Sequence, residues 1–101
     1  MKTTVTLSEL SRMFSVPEPV LLQQALAAWL TTQLADVERE ITALVEQYGT
    51  DSPDAMEAMI RDGVIVEHPS WEDTIALEGL QIYRDKLRQQ MAAAGTPDGL
   101  P

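Results

Sequence analysis

The sequence predicts a mainly α-helical chain, and the strongest observation behind that prediction is a run of apolar residues at heptad spacing. Steps of 4, 3, 4, 3 and 4 residues separate the members of this run, which we call the seam: Leu30, Leu34, Val37, Ile41, Leu44 and Tyr48. An average repeat of 3.5 residues keeps a narrow apolar stripe facing a neighbouring helix, as in a left-handed coiled coil. Two helix-start signals downstream, Ser52-Pro53 and Pro69-Ser70, predict a short helix and a C-terminal helix.

The N-terminal residues predict a short strand and a small helix. Residues Thr3 to Leu7 are β-branched and alternate in polarity, which favours a strand. Ser8 is a suitable N-cap for a helix of barely two turns, with Leu10, Met13 and Phe14 facing inward. The two prolines that follow this helix end it.

A long central helix is expected from Pro19 to Tyr48, with Gly49 as its C-cap. Its 30 residues correspond to about 45 Å at 1.5 Å per residue. The short helix should end at Gly63, and the apolar run from Val64 to Val66 is predicted to be extended. The segment from Tyr48 to the C-terminal helix is long enough to reverse the chain, so the central and C-terminal helices should run antiparallel.

Three regions follow from these elements. Residues 1–30 form a part for dimerisation and possible DNA binding, residues 31–95 an acidic helical part that binds a partner, and residues 96–101 a disordered tail. The last helix of the same chain and a second subunit would each fill part of the seam, so we expect a homo-oligomer.

Negative charge is concentrated in the middle of the chain. The net charge is −9, and residues 34–80 carry twelve acidic side chains against two arginines. Such a body repels nucleic acid and attracts basic proteins, although acidic residues also simply keep a small protein solvated.

Composition argues against several classes of function. The chain has no cysteine and a single histidine, which leaves no thiolate nucleophile and no multi-histidine metal centre. Nothing resembles a nucleophile with its base or a glycine-rich phosphate loop, so we expect no enzyme, no cofactor, no metal and no small-molecule substrate. The sequence also lacks a secretory signal and a transmembrane run, and we expect a cytoplasmic protein.

DNA binding is the most specific possibility for the N-terminal part. Paired strands of two subunits can lay one face in the major groove, and that face would carry Lys2, Thr4 and Thr6, with Arg12 on the small helix nearby. With two basic residues in this half, the electrostatic contribution is small. A dimerisation ribbon that makes no DNA contact explains the same residues at least as well.

The second half of the chain resembles a known family. The pattern is an acidic coiled coil, then Tyr48-Gly49, a short helix ending at Gly63, and His68-Pro69-Ser70-Trp71-Glu72-Asp73 before the last helix. This pattern is similar to that of prokaryotic type II antitoxins, in particular those encoded beside RelE-like or related RNA-targeting toxins. The N-terminal part is similar to the ribbon-helix-helix module of many antitoxins. The resemblance implies a basic toxin as partner and autoregulation of the operon.

The residues around the start of the last helix are the candidates for partner binding: Glu67, His68, Trp71, Glu72 and Asp73. Trp71 could be a hot spot on a toxin-binding surface, but large aromatic side chains are more often buried, so we favour a role in the core. The acids could hold a metal, yet compensation of the helix dipole in the first turn explains them well.

Two hypotheses follow. The first is an antitoxin that occludes the active surface of a basic RNA-targeting toxin. The alternative is an acidic helical scaffold or oligomerisation subunit without a toxin partner.

Overall fold

A computed structural model of the chain describes residues 5–94, and within that range the structure is mainly helical with no strand. Four helices follow one another along the chain: α1 (Leu7–Phe14), α2 (Glu18–Tyr48), α3 (Pro53–Arg61) and α4 (Glu67–Ala94). The helical class and the long central helix are therefore confirmed. Lys2, Thr3, Thr4 and the expected tail at 96–101 lie outside the described residues.

The predicted N-terminal strand is wrong where it can be checked. Thr6 has extended backbone angles, but its hydroxyl accepts a hydrogen bond from the Glu9 N–H at 3.1 Å, and α1 starts at Leu7. Thr6 is thus the N-cap, two residues before the predicted Ser8. A lone strand leaves its backbone groups without partners, whereas a capped helix satisfies them locally.

Helix α1 leaves part of its apolar side uncovered. Leu7 and Leu10 are partly buried, but Met13 and Phe14 are 72% and 65% exposed, so the expectation that both face inward is wrong. The helix stops at Ser15, which has a left-handed φ of 57° and donates its N–H to the Ser11 carbonyl.

Helix α2 has the bounds that the sequence predicts to within one residue. Its 31 residues begin after Pro17, with a second proline in the first turn, and end at Gly49. Gly49 adopts φ 74°, a region that suits glycine, and its N–H donates to the Val45 carbonyl at 2.7 Å.

Helices α2 and α4 pack antiparallel. Tyr48 at the end of α2 contacts Asp73 near the start of α4, while Leu26 early in α2 shares a groove with Ala93 late in α4. Between these ends the Arg88 guanidinium donates to the Glu38 carboxylate at 2.8 Å.

The seam of α2 packs against α4. Val37 and Ile41 are buried, and the other four seam residues are partly buried against the same cluster. The remaining buried apolar residues of the cluster are Met56 of α3 and Leu77 and Leu87 of α4. The described part of the chain thus fills much of its own seam.

Helix α3 closes one end of the hairpin. Ser52 caps it by accepting the Ala55 N–H at 3.1 Å, Pro53 occupies the first position, and Met56 is fully buried. The extended run predicted after Gly63 forms no strand, and Val64 and Val66 in it are 69% and 68% exposed.

The start of α4 is irregular. His68 has non-helical backbone angles (φ −112°, ψ 131°), so the regular helix begins after it. Ser70, the expected cap, lies buried within α4, and its carbonyl accepts a hydrogen bond from the Thr74 hydroxyl at 2.8 Å.

A polar contact ties the end of α2 to the start of α4. The Tyr48 hydroxyl donates to the Asp73 carboxylate. Partial burial of the ring raises the pKa of Tyr48 above its ordinary value, and the hydrogen bond to Asp73 raises it further, while a hydrogen bond with Ser70 acts in the opposite direction. The phenol therefore keeps its proton to a higher pH than an exposed tyrosine does.

Substitution of the buried seam should strongly destabilise the fold, whereas substitution beside it should not. Ile41→Asp places an unpaired carboxylate among apolar side chains and should cost more than about 3 kcal/mol of unfolding free energy. Glu40→Lys, at an exposed neighbouring position, should change that free energy by less than about 0.5 kcal/mol. Urea denaturation followed by circular dichroism measures both, and equal losses would mean that the helix phase assigned here is wrong.

Removing the Tyr48 hydroxyl should cost about 1 kcal/mol at neutral pH, because its bond to a carboxylate is lost. Since the folded-state pKa is raised above the unfolded value, this contribution is complete below about pH 10 and disappears as pH rises through the folded-state pKa. The difference in unfolding free energy between wild type and Tyr48→Phe should therefore shrink above about pH 10. Tyr83→Phe, which removes a 3.4 Å bond to the neutral Gln33 amide, is the control and should cost less than about 0.5 kcal/mol. A difference that persists unchanged at alkaline pH would contradict the assignment.

Candidate protein-binding site

The junction between α3 and α4 forms an open groove of about 260 Å³. Five side chains line it: Glu57, Ile60, Arg61, Glu67 and Trp71. Ile60 and the Trp71 ring supply apolar surface, and the two glutamates place carboxylates beside it. Concave apolar surface with a few charged groups at its rim is the usual composition of a binding site for another molecule.

The sequence between the two helices explains why the groove forms. Asp62 ends α3, and Gly63 follows with φ 75°, a conformation that suits glycine. The Val64 N–H then donates to the Met59 carbonyl at 2.8 Å, which folds the chain back under the last turn of α3. Glu67 and Trp71 are thereby brought beside Ile60.

Trp71 lines the groove with much of its surface in solvent. Its exposed fraction is 41%, and it lies six residues before the fully buried Leu77, or about 120° away from it around α4. The core position expected for Trp71 therefore differs from what the structure shows, because the ring lines an open groove and is outside the buried cluster.

The five predicted partner-binding residues separate into three environments. Glu67 and Trp71 lie in the groove. His68 and Glu72 form an exposed pair, with His68 Nδ1 3.0 Å from a carboxylate oxygen. Asp73 points towards Tyr48 and belongs to the contact between α2 and α4.

Electrostatics keeps this end of the molecule negative. A hydrogen bond from its own backbone N–H, together with the His68 side chain, lowers the pKa of Glu72 below its ordinary value. Across residues 5–94, no basic side chain lies within ion-pair distance of Glu57 or Glu67. Both carboxylates are exposed and available to a positively charged group.

The structure describes two of the four predicted DNA-contacting residues, Thr6 and Arg12. Lys2 and Thr4 lie outside the described residues, Thr6 caps α1, and Arg12 is exposed in the last turn of α1. A ribbon that included Thr6 as an outward residue is not compatible with its role as a cap.

A second apolar surface lies on the first half of α2, where the apolar side expected to pack is left in solvent. Leu22, Leu26 and Trp29 are 48%, 54% and 55% exposed. A groove of about 460 Å³ runs beside them, lined by Leu26, Trp29 and Leu30 together with Gln90 and Ala93 of α4. The sequence contains a feature that indicates this surface: residues 20–35 have no charged side chain, so this part of α2 has no strongly polar face.

Two other kinds of site are absent from the part of the chain that the structure describes. No group of three or more histidine, aspartate or glutamate side chains between residues 5 and 94 is placed to hold a metal ion. In the same range no helix combines the length and apolar character needed to cross a membrane.

Comparison with known proteins gives one finding. A family model described as the Uncharacterized protein MJ0235 family matches residues 1–94. No curated protein and no solved structure matches the chain. Because the family model covers nearly the whole chain, the protein belongs to the Uncharacterized protein MJ0235 family.

Proposed function

We propose that this chain is an antitoxin-like protein that neutralises a basic, RNA-targeting toxin, and that the groove between α3 and α4 receives the toxin. The observation that carries the proposal is the composition of the groove, whose lining includes a 41% exposed tryptophan and two glutamates that make no ion pair. Tryptophan is enriched among the residues that dominate binding energy, and apolar anchors flanked by charge are typical of specific interfaces.

The occupant that fits is a basic amphipathic segment of the partner. An apolar side chain of that segment would insert between Ile60 and the Trp71 ring, while lysines or arginines on either side would pair with Glu57 and Glu67. Arg61 is the one basic residue in the lining of the groove, and because Glu57 and Glu67 outnumber it, the lining has a net negative charge. A neutral or acidic segment would leave both carboxylates unpaired on binding.

Charge beyond the groove supports the same kind of partner. Residues 34–80 carry twelve acidic side chains and two arginines, so a positively charged protein is attracted before contact. A toxin that binds RNA needs a positive surface for phosphate, and carboxylates of this chain would occupy that surface. Occlusion of the RNA site is therefore the proposed mechanism, and the cytoplasm is where it would operate.

A scaffold without a toxin partner remains the second candidate, and the exposed apolar residues Leu22, Leu26 and Trp29 of α2 favour it. A scaffold would depend on the first half of α2 and would not need the groove. The two candidates are therefore separated by substitutions in these two places.

The test uses the product of a short gene for a basic protein beside the gene for this chain. We expect that product to inhibit growth when expressed alone, and this chain to restore growth and to form a complex with it. In calorimetry, Trp71→Ala should weaken the complex at least thirtyfold, which corresponds to about 2 kcal/mol. Glu57→Gln combined with Glu67→Gln should mainly slow association and flatten its salt dependence.

Trp29→Ala is the matched control, because it removes the same side chain from an exposed position outside the groove. It should change the affinity by less than about threefold. A neighbouring product that does not bind, or two tryptophan variants that lose affinity equally, would reject the groove as the toxin site.

A further inference from the structure

After Glu18 in its first turn, the first half of α2 carries no charged side chain and is exposed along most of its length. Residues 20–35 contain eleven apolar side chains and no lysine, arginine, aspartate or glutamate, and only four of these sixteen residues are even partly buried. Helices that face water normally carry a charged side, and exposed apolar patches of this kind mark interaction surfaces.

The exposed apolar residues of this stretch follow helical spacing. Leu22, Leu26 and Trp29 lie at steps of four and three residues and therefore share one side of α2. We call these three residues the α2 stripe. At its C-terminal end it reaches Gln33, and the charged residues of α2 begin again at Asp36.

We propose that the α2 stripe is the interface through which two copies of this chain associate as a symmetric dimer. This inference is independent of the proposed toxin binding, which uses the opposite end of the hairpin. Other helices of the same chain cover most of the seam. We therefore assign the predicted self-association to the α2 stripe and not to the seam.

Charge identifies the occupant as a second copy. Two copies each carry a net charge of −9, concentrated in residues 34–80, so their acidic parts repel each other. Residues 1–33 carry two acids and two bases and are neutral, which makes this half the place where two copies meet without repulsion. A basic partner, by contrast, gains nothing from a neutral surface and is drawn to the acidic half.

A membrane is a poorer occupant of the same surface. Helices that bind lipid surfaces place lysine and arginine beside the apolar face, and residues 20–35 have neither. Anionic headgroups also repel a chain of net charge −9.

Sedimentation equilibrium at roughly 50 µM tests the interface. Wild type should sediment as a dimer, and Leu26→Asp should weaken self-association at least a hundredfold. The matched control is Ile75→Asp, at a 58% exposed isoleucine of α4, and it should remain dimeric. A monomeric wild type, a dimeric Leu26→Asp, or a loss of the dimer in both variants would each overturn the proposal.

Fluorescence of the two tryptophans gives a second test that does not depend on Leu26→Asp remaining folded. The chain has two tryptophans, Trp29 and Trp71. In Trp71→Phe, the remaining Trp29 should be less quenched by acrylamide when the protein is dimeric than after dilution to monomer, by twofold or more. In Trp29→Phe, quenching of Trp71 should not change on dilution. A Trp29 signal that responds to anionic vesicles and not to protein concentration would assign the stripe to a membrane and overturn the dimer.

Discussion

The packing of the second half of α2 against α4 is the interaction on which the rest of the molecule depends. Among the described residues the buried apolar cluster is small: Val37 and Ile41 of α2, Met56 of α3, and Leu77 and Leu87 of α4. Each such side chain contributes roughly 1.5–3 kcal/mol by leaving water. This cluster holds α3 against the hairpin and fixes the start of α4, so the groove at their junction exists only while the cluster is intact.

A single helix therefore serves two purposes along its length. Beyond Val37, α2 buries its apolar side within the chain, while before Leu30 it leaves that side in solvent. The described part of the molecule extends over 62 × 43 × 16 Å, which allows no more than about two layers of helices. Such a thin molecule cannot cover every apolar face by itself. Acidic side chains accompany the covered half, whereas the uncovered half has only Glu18 in its first turn, so each half is suited to a different kind of contact.

Much of the fold could be predicted because the signals were local or periodic. The spacing around Val37 and Ile41 identified the buried side of α2, and Gly49 and Ser52-Pro53 identified the helix ends. The strand could not be distinguished from a cap, because threonine suits both and the choice depends on one hydrogen bond from Glu9 to Thr6. Periodicity also shows which side of a helix is apolar without showing whether anything covers that side, and for this reason Met13 and Phe14 were predicted to face inward although both are exposed. The groove depends on how the turn at Gly63 places Trp71 beside Ile60. No local sequence pattern predicts that two side chains of different helices come together in this way.

Native-state hydrogen exchange along α2 tests the central claim most directly. At a protein concentration where the chain is monomeric, amides of residues 37–48 should be strongly protected, because they exchange only when the buried cluster opens. Amides of residues 20–30 should exchange much faster, although they belong to the same helix. Equal protection along the whole of α2 under these conditions would contradict the account, because it would show that the first half of the helix is stabilised within the monomer.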